Sequence, residues 1–356
     1  MSRQSTLKEI SQYTGIPLST VAAVLREDPK CFAGPKLRQQ IMAAAHKLNY
    51  RPNPIARSLR TGKSNTIGLI LPNTRIPVMQ ENLEIIEDLT QQKGYRLFIG
   101  YTHMDIDREE SLLTDFVNRY VDGIIIASVQ SGPCESYLQQ LIEKNYPLVS
   151  ISRNVAFNPA SVYTDYFKGG QLAAEYMMAQ GHHKLAVFTE DTGERYKASR
   201  TDGFVAIASK AGLGVEFLLV RDKDGERCKF DNRESLVRKG YELADDVLSR
   251  PNRPTAVFAG NDDIALGVIR AALQLGIKVP EELSVIGFDD SDTAVLSPVA
   301  LTSVRQNSEE IGCKSVDILL DMIDKKLIKE APPVISDPVL IEPKLVVRAS
   351  TGPAPK

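Results

Sequence analysis

Apolar residues recur at helical spacing along the first fifty positions. Leu7, Ile10, Ile16, Val21, Val24 and Leu25 form two short patterns that break at Thr14-Gly15-Ile16. Gly15 suits the left-handed conformation that such a break needs, and Pro17 suits a first helical turn, where its missing N–H costs nothing. A third pattern opens at Gly34-Pro35 and carries Leu37, Ile41, Ala44, Ala45 and Leu48. Together they predict a compact three-helix unit over residues 1–50. The next stretch, 51–64, reads "RPNPIARSLRTGKS". Its prolines and few apolar positions predict a linker, too short to hold a helix alone, that orders against a partner.

From Thr66 the period changes. Short apolar runs ("TIGLIL", "YRLFIG", "DGIIIA", "PLVSIS", "KLAVFT", "TAVFAG", "LSVIGF") alternate with helical patterns, among them 82–93, 107–119, 168–180, 262–275 and 307–323. Continuous apolar runs alternating with helices predict parallel sheets covered on both faces. A body spanning 65–349 exceeds one comfortable core, so two α/β subdomains are expected, with residues 350–356 as a short tail. In such sheets ligands sit at the carboxyl ends of strands, and a cleft between subdomains is the natural place for one.

Composition adds less than the distribution of charge. The chain has 356 residues, 43% of them hydrophobic and 25% charged, which is an ordinary globular balance. No apolar run is long enough to span a bilayer, and the N-terminus has no export signal, so a cytoplasmic protein without a membrane partner is expected. Cys31, Cys134, Cys228 and Cys313 form no CxxC pair, which argues against a disulfide framework or a zinc site. His46, His103, His182 and His183 show neither triad nor metal spacing, and no glycine loop cradles a phosphate. No catalytic residue, metal or cofactor is therefore expected. The net charge of −2 hides an asymmetry: residues 1–63 hold eleven Lys/Arg against three Asp/Glu. A small basic head on a larger acidic body fits a protein that docks one end on a polyanion.

The head, then "YRPNPIARSLRTGKSNTIGLILP", "GHHKLAVF", "SRTDGF", "NDDIALG" and "ELSVIGFDD" follow one another in an order and at separations that resemble the lactose-repressor/galactose-repressor (LacI/GalR) family of bacterial transcription regulators. The resemblance covers nearly the whole chain. It implies an N-terminal all-α helix-turn-helix head plus an α/β body of two parallel-sheet subdomains of the type I periplasmic-binding-protein kind. The implied function is a nucleoid-associated repressor, binding double-stranded operator DNA as a homodimer under the control of a small-molecule effector.

For DNA, the resemblance places Thr6, Pro17, Leu18, Ser19, Thr20 and Ala23 at the duplex. The first residues of the second helix enter the major groove, where Ser19 and Thr20 hydrogen-bond and Leu18 packs on a thymine methyl. The family commonly carries a serine and an arginine where this chain has Ala22 and Ala23. The guanine contact such an arginine makes is lost, and readout is expected to shift to Leu18 and Ser19, or else to DNA shape. In the linker, Leu59 matches the family's minor-groove wedge, beside Asn53, Ala56 and Arg57. Arg51, Arg57, Arg60 and Lys63 are expected phosphate contacts.

For the effector, Arg200 in "SRTDGF" matches the arginine that grips the ligand, Asp289 in "GFDD" an acid on the opposite wall, and Asn261 a polar cleft residue. Arg75, Val78, Met79 and Arg153 complete the expected set. Arg and Asp facing each other suit a polyol, which needs a donor and an acceptor on adjacent hydroxyls. Val78 and Met79 stand where relatives carry two aromatics, and Ser152 where an acid often precedes Arg153. Three arginines with one acid missing extend the ligand class from a sugar to a sugar phosphate or sugar acid. The competing class, a periplasmic-type sugar receptor without DNA function, leaves residues 1–63 without a purpose. The end of the chain lacks leucine heptads, so a dimer is expected rather than a tetramer.

Overall fold

The computed structural model describes residues 5–26, 31–51, 58, 61–73, 76–103, 105–119, 121–127, 134–152, 160–190, 200–220, 233–328, 330 and 337–356. The chain divides into two compact units, Met1–Ser64 and Asn65–Lys356. The first holds α1 (Leu7–Thr14), α2 (Leu18–Leu25) and α3 (Pro35–Lys47). Thr6 starts α1 with a capping box: its hydroxyl accepts from the Glu9 N–H at 3.3 Å, and the Glu9 carboxylate accepts from the Thr6 N–H at 2.7 Å. Gly15 closes the helix at φ 70°, a conformation that glycine takes without strain. Pro17 stands one residue before α2, as its N-cap. Ile10, Ile16, Val21, Val24, Ile41, Ala44 and Ala45 make the core, while Leu7, Leu25, Leu37 and Leu48 are partly covered. Each large aliphatic side chain buried this way contributes about 1.5–3 kcal/mol, which makes the three helices interdependent.

The second unit is two lobes joined by three crossings. The first lobe begins with β1 (Thr66–Leu71), α4 (Pro77–Gln92), β2 (Arg96–Tyr101), α5 (Ile106–Asn118), β3 (Gly123–Ile126), α6 (Cys134–Glu143), β4 (Leu148–Ser150) and β5 (Ala160–Thr164). At Asp165 the chain crosses to the second lobe. There it forms α7 (Tyr166–Ala179), β6 (Leu185–Glu190), α8 (Arg200–Lys210), β7 (Val215–Val220), α9 (Arg233–Leu248), β8 (Ala256–Ala259), α10 (Asp262–Gln274), β9 (Ser284–Asp289), α11 (Asp292–Leu296) and β10 (Thr302–Arg305). It returns at Gln306-Asn307 with α12 (Ser308–Leu327) and β11 (Val339–Ile341), and crosses a third time to β12 (Lys344–Val346).

The sheets have the orders β11-β5-β4-β3-β1-β2 and β12-β10-β9-β8-β6-β7. Their strand pairs are parallel except that β12 runs antiparallel to β10. This is the α/β body of two parallel-sheet subdomains expected from the apolar runs. The central strands are covered on both faces, as in β1 and β3, where Leu69 pairs with Ile125. The edge strands differ from that expectation. Phe98 and Ile99 on β2 are 43% and 41% exposed, and Phe217 on β7 is 47% exposed, because an edge strand has helices over only part of its surface. The helical pattern read from residue 82 begins at Pro77, a proline at the first helical turn. Residues 350–356, read as a tail, begin with Ser350, which is fully buried and bonds Val285 through both its carbonyl (2.8 Å) and its hydroxyl (2.6 Å). His182 holds the same segment, its ring nitrogens 3.0 Å from the Thr255 hydroxyl, 2.9 Å from the Ser284 hydroxyl and 3.1 Å from the Gly352 carbonyl. Burial lowers the imidazole pKa.

Candidate functional site

In the head, the first turn of α2 faces outward. Leu18 is 47% exposed and Ser19 and Pro17 are exposed, while Thr20 and Ala23 are half-buried. Val21, Ala22 and Val24, on the opposite side, are buried. The helix thus splits into an inner face and an outer face whose leading residues are one apolar side chain and one hydroxyl. Thr6 is exposed, but its hydroxyl is engaged in the capping box. Arg51 is exposed. Asn53, Ala56, Arg57, Leu59 and Arg60 lie outside the described residues. Beside them, the Gly62 N–H bonds the Ser58 carbonyl at 2.8 Å, a helical i to i−4 bond at the end of the linker. Lys63 is half-buried there.

Two further surface features of the head escape a search for apolar periodicity, because neither side chain serves the core. Phe32 is fully exposed between α2 and α3. Its segment is pinned by Arg38, which donates to the carbonyls of Cys31 (2.8 Å) and Ala33 (3.1 Å). Lys47 donates to the Tyr13 hydroxyl at 2.7 Å and lies 5.2 Å from its ring centre, so a cation and an aromatic share one edge of the head.

In the body, Arg200 opens α8 and its guanidinium lies over two rings, 4.1 Å from the centre of Phe288 and 5.0 Å from that of Tyr166. One of its nitrogens donates to the Gly260 carbonyl, and the same nitrogen is 3.8 Å from Asp289 Oδ1. Asp289 therefore shares the wall of the second lobe with Arg200 and does not face it from the opposite lobe. The reason is topological: β9, which ends in Asp289, and β8, which leads into Gly260, are neighbours in one sheet. At 3.8 Å the two charges attract without a hydrogen bond, which leaves donors on Arg200 and an acceptor on Asp289 for a ligand. Burial raises the Asp289 carboxyl to about 6, against the pull of Arg200 and the Gln306 amide.

Asn261 has a different task from the one its motif suggests. Its carbonyl oxygen caps α10 by accepting from the Ile264 N–H at 2.9 Å, and its amide donates to Glu190. Both ends of the side chain are used inside the lobe. Glu190, the last residue of β6, is the acid that sequence reasoning missed. The run "KLAVFT" stops one residue before it, and an acid at the end of a strand carries no periodic signal. It is buried, and its pKa is raised by burial and lowered by Arg200. Asp262, at the start of α10, is raised to about 8 by burial and by Asp289. It accepts from Ser303 Oγ at 2.5 Å and from the Ser291 N–H at 2.7 Å.

Val78 and Met79 are already helical, in the first turn of α4. Val78 is buried, and Met79 packs against the first lobe's core. Arg75 and Arg153 lie outside the described residues. The side chain of Asp290, next to Asp289, is fully buried and clamped by Arg305 (2.6 Å) and Arg348 (2.5 Å). That clamp fixes the strand end on which Asp289 sits. Among the described residues, no three His, Cys, Asp or Glu side chains gather as for a metal ion, and no helix is long and apolar enough to cross a membrane.

The arrangement places donors and acceptors on the carboxyl ends of parallel strands, where the chemistry of an α/β ligand site belongs. Known proteins share both halves. Residues 174–351 match the periplasmic binding protein-like domain. The HTH-type transcriptional repressor PurR of Yersinia pestis is 29% identical over 360 residues, which covers 99% of this chain and 98% of the relative. Among solved structures, the lac repressor dimer bound to operator and the anti-inducer ONPF superposes with a TM-score of 0.81 at 22% identity, covering 98% of this chain and all of that one. A ribose-bound LacI family regulator from Enterococcus faecium has a TM-score of 0.66 at 24% identity over 81% of this chain and 99% of its own. These likenesses bear out the resemblance read from the motifs. The chain belongs to the periplasmic binding protein-like family, and its full-length likeness is to the LacI/GalR-type transcriptional repressors.

Proposed function

We propose that this chain is a sequence-specific transcriptional repressor that binds duplex operator DNA through its N-terminal unit, under the control of a sugar or sugar derivative held by the body. The observation that carries the reading is the full-length likeness to a repressor, head and body together, at 29% identity. A sugar receptor alone has no use for the head. The anti-inducer- and ribose-bound neighbours support a sugar-sized effector. In this reading residues 1–50 are the DNA-binding head, 51–64 the hinge and 65–349 the effector and dimerisation body. The protein acts in the cytoplasm as a homodimer and is not an enzyme.

Leu18 and Ser19 lead the helix that enters the major groove, with Thr20 and Ala23 behind them and Thr6, Pro17 and Arg51 at the backbone. Leu59 wedges into the minor groove beside Asn53, Ala56, Arg57 and Arg60. In the body, Arg200 donates to and Asp289 accepts from the effector, with Arg75 and Arg153 extending the set to a phosphate or carboxylate. Asn261 acts indirectly, by holding Glu190 and the start of α10. Effector binding changes lobe orientation and with it the spacing of the two hinges, which works only if the effector binds the two states unequally, typically by about 1–3 kcal/mol.

The test is selection of duplexes from a random library by the purified full chain, followed by titration of the enriched site in salt. A near-palindromic site is expected. With six to ten phosphates contacted, affinity should fall by about 10³–10⁵ between 50 and 200 mM salt. Enrichment of no site, or binding indifferent to salt, contradicts the reading.

A further inference from the structure

Gln306 occupies the second crossing between the lobes and is buried, 6% exposed. Its amide has one orientation. The carbonyl oxygen accepts from the Thr164 hydroxyl at 2.7 Å, and the amide nitrogen donates to Asp289 Oδ1 at 2.7 Å. Thr164 is fully buried and is the last residue of β5, at the first crossing. The next residue, Asp165, reaches the strand before the third crossing through its N–H, which bonds the Ile341 carbonyl at 2.8 Å, and its carboxylate caps α7. The acid in the candidate effector wall is therefore one end of a chain of contacts that runs through the peptide segments joining the lobes.

The backbone around that acid is fixed. Asp289 and Asp290 both lie at positive φ, 101° and 54°, which side-chain-bearing residues rarely adopt. The Asp290 N–H is held by Ser303 Oγ at 3.1 Å, and its carboxylate is held by two arginines. A pull on the Asp289 carboxylate is thus passed on through the side chain to Gln306, while the strand end stays in place.

We propose that Gln306 is a positioning residue: it couples the Asp289 carboxylate to Thr164 at the first crossing, so that a ligand engaging Asp289 acts on the crossing segments. The coupling rests on the reading of the Arg200 and Asp289 wall as the effector site. Gln306 itself touches no ligand in this scheme. A plain space-filling role for Gln306 makes no link between Thr164 and Asp289, which share no direct bond.

The experiment is a carbon-13 carboxyl titration of the full chain labelled at Asp Cγ, with the Asp289 signal identified by its loss in Asp289→Asn. The wild-type midpoint is expected near the value of about 6 that burial imposes. The charged and titratable groups facing it, Arg200, Glu190, Asp262 and Asp263, are the same in every variant. Gln306→Leu removes a hydrogen bond to the ionised form and should raise the midpoint by about one unit. Thr164→Val, which touches Gln306 and not Asp289, should raise it by roughly half a unit, and Thr164→Ser should restore it. If Gln306→Leu does not fold, the Thr164 pair decides. A Thr164→Val midpoint equal to wild type, or a Thr164→Ser midpoint equal to that of Thr164→Val, overturns the coupling. No small molecule enters the titration, so a failure here falls on Gln306 alone and leaves the effector reading to its own operator assay.

Discussion

Gly203→Ala should displace the helix that carries Arg200. A Cβ at Gly203 would lie 1.9 Å from the carbonyl oxygen of Phe167 on α7, and the reciprocal Gly170 Cβ would lie 1.7 Å from the carbonyl oxygen of Arg200. Backbone atoms are met at both points, so no side chain can swing aside. Restoring a 3.4 Å contact requires α8 to move by about 1.5 Å from α7. Overpacking of this kind costs about 1–3 kcal/mol, and the upper end applies where backbone must move. For a body of this size, about 3 kcal/mol lowers Tm by roughly 5 °C. The shift also carries Arg200 off the Phe288 ring and off the Gly260 carbonyl, so effector affinity should fall by tenfold or more. The control is Gly214→Ala, where a Cβ meets nothing within 4 Å. Its Tm should stay within a degree or two of wild type. Differential scanning calorimetry of both variants checks the argument. A Gly203→Ala chain as stable as Gly214→Ala would refute the close helix approach on which the Arg200 site is built.

Further expectations concern the head, the hinge and pH. Leu18→Ala should leave Tm unchanged, because the side chain is half exposed, yet weaken binding to a selected site about fivefold to tenfold relative to random duplex, read by fluorescence anisotropy. Leu59→Ala should weaken binding to the selected site far more than to random duplex, and equal losses on the two would remove the wedge role. Asp289 holds its proton more tightly folded (to about 6) than unfolded (3.8), so its contribution to stability is full below pH 4 and is lost as pH rises through 6. Denaturant titrations of Asp289→Asn should show that part of the pH slope removed, about 3 kcal/mol at most, with the slope from Asp262 persisting toward pH 8.

The alternation of apolar runs and helical patterns made the body legible because fully buried parallel strands leave continuous runs that loops and exposed helices do not. The head was legible for a related reason, since Ile10, Val21, Val24 and Ile41 are spaced to meet in one small core. The edge strand β2 was over-read as buried, because Phe98 looks the same in sequence whether a neighbouring strand follows or not. The wall of the second lobe was legible only in part. Motifs located Arg200 and Asp289, but which lobe each faces depends on strand order, which no local pattern encodes. Glu190 and Gln306 were missed because each is a single polar residue at a strand end, given its role by a partner 71 or 142 positions away.

The central claim is that a small molecule bound beside Arg200 alters the grip of the head on DNA. The direct measurement is fluorescence anisotropy of the selected operator with the full chain, titrated with sugars, sugar phosphates and sugar acids, in wild type and Arg200→Ala. At least one compound should shift operator affinity of the wild type by fivefold or more, and Arg200→Ala should bind the operator normally while losing that response. A response of equal size in Arg200→Ala, or none to any compound in the wild type, would contradict the account.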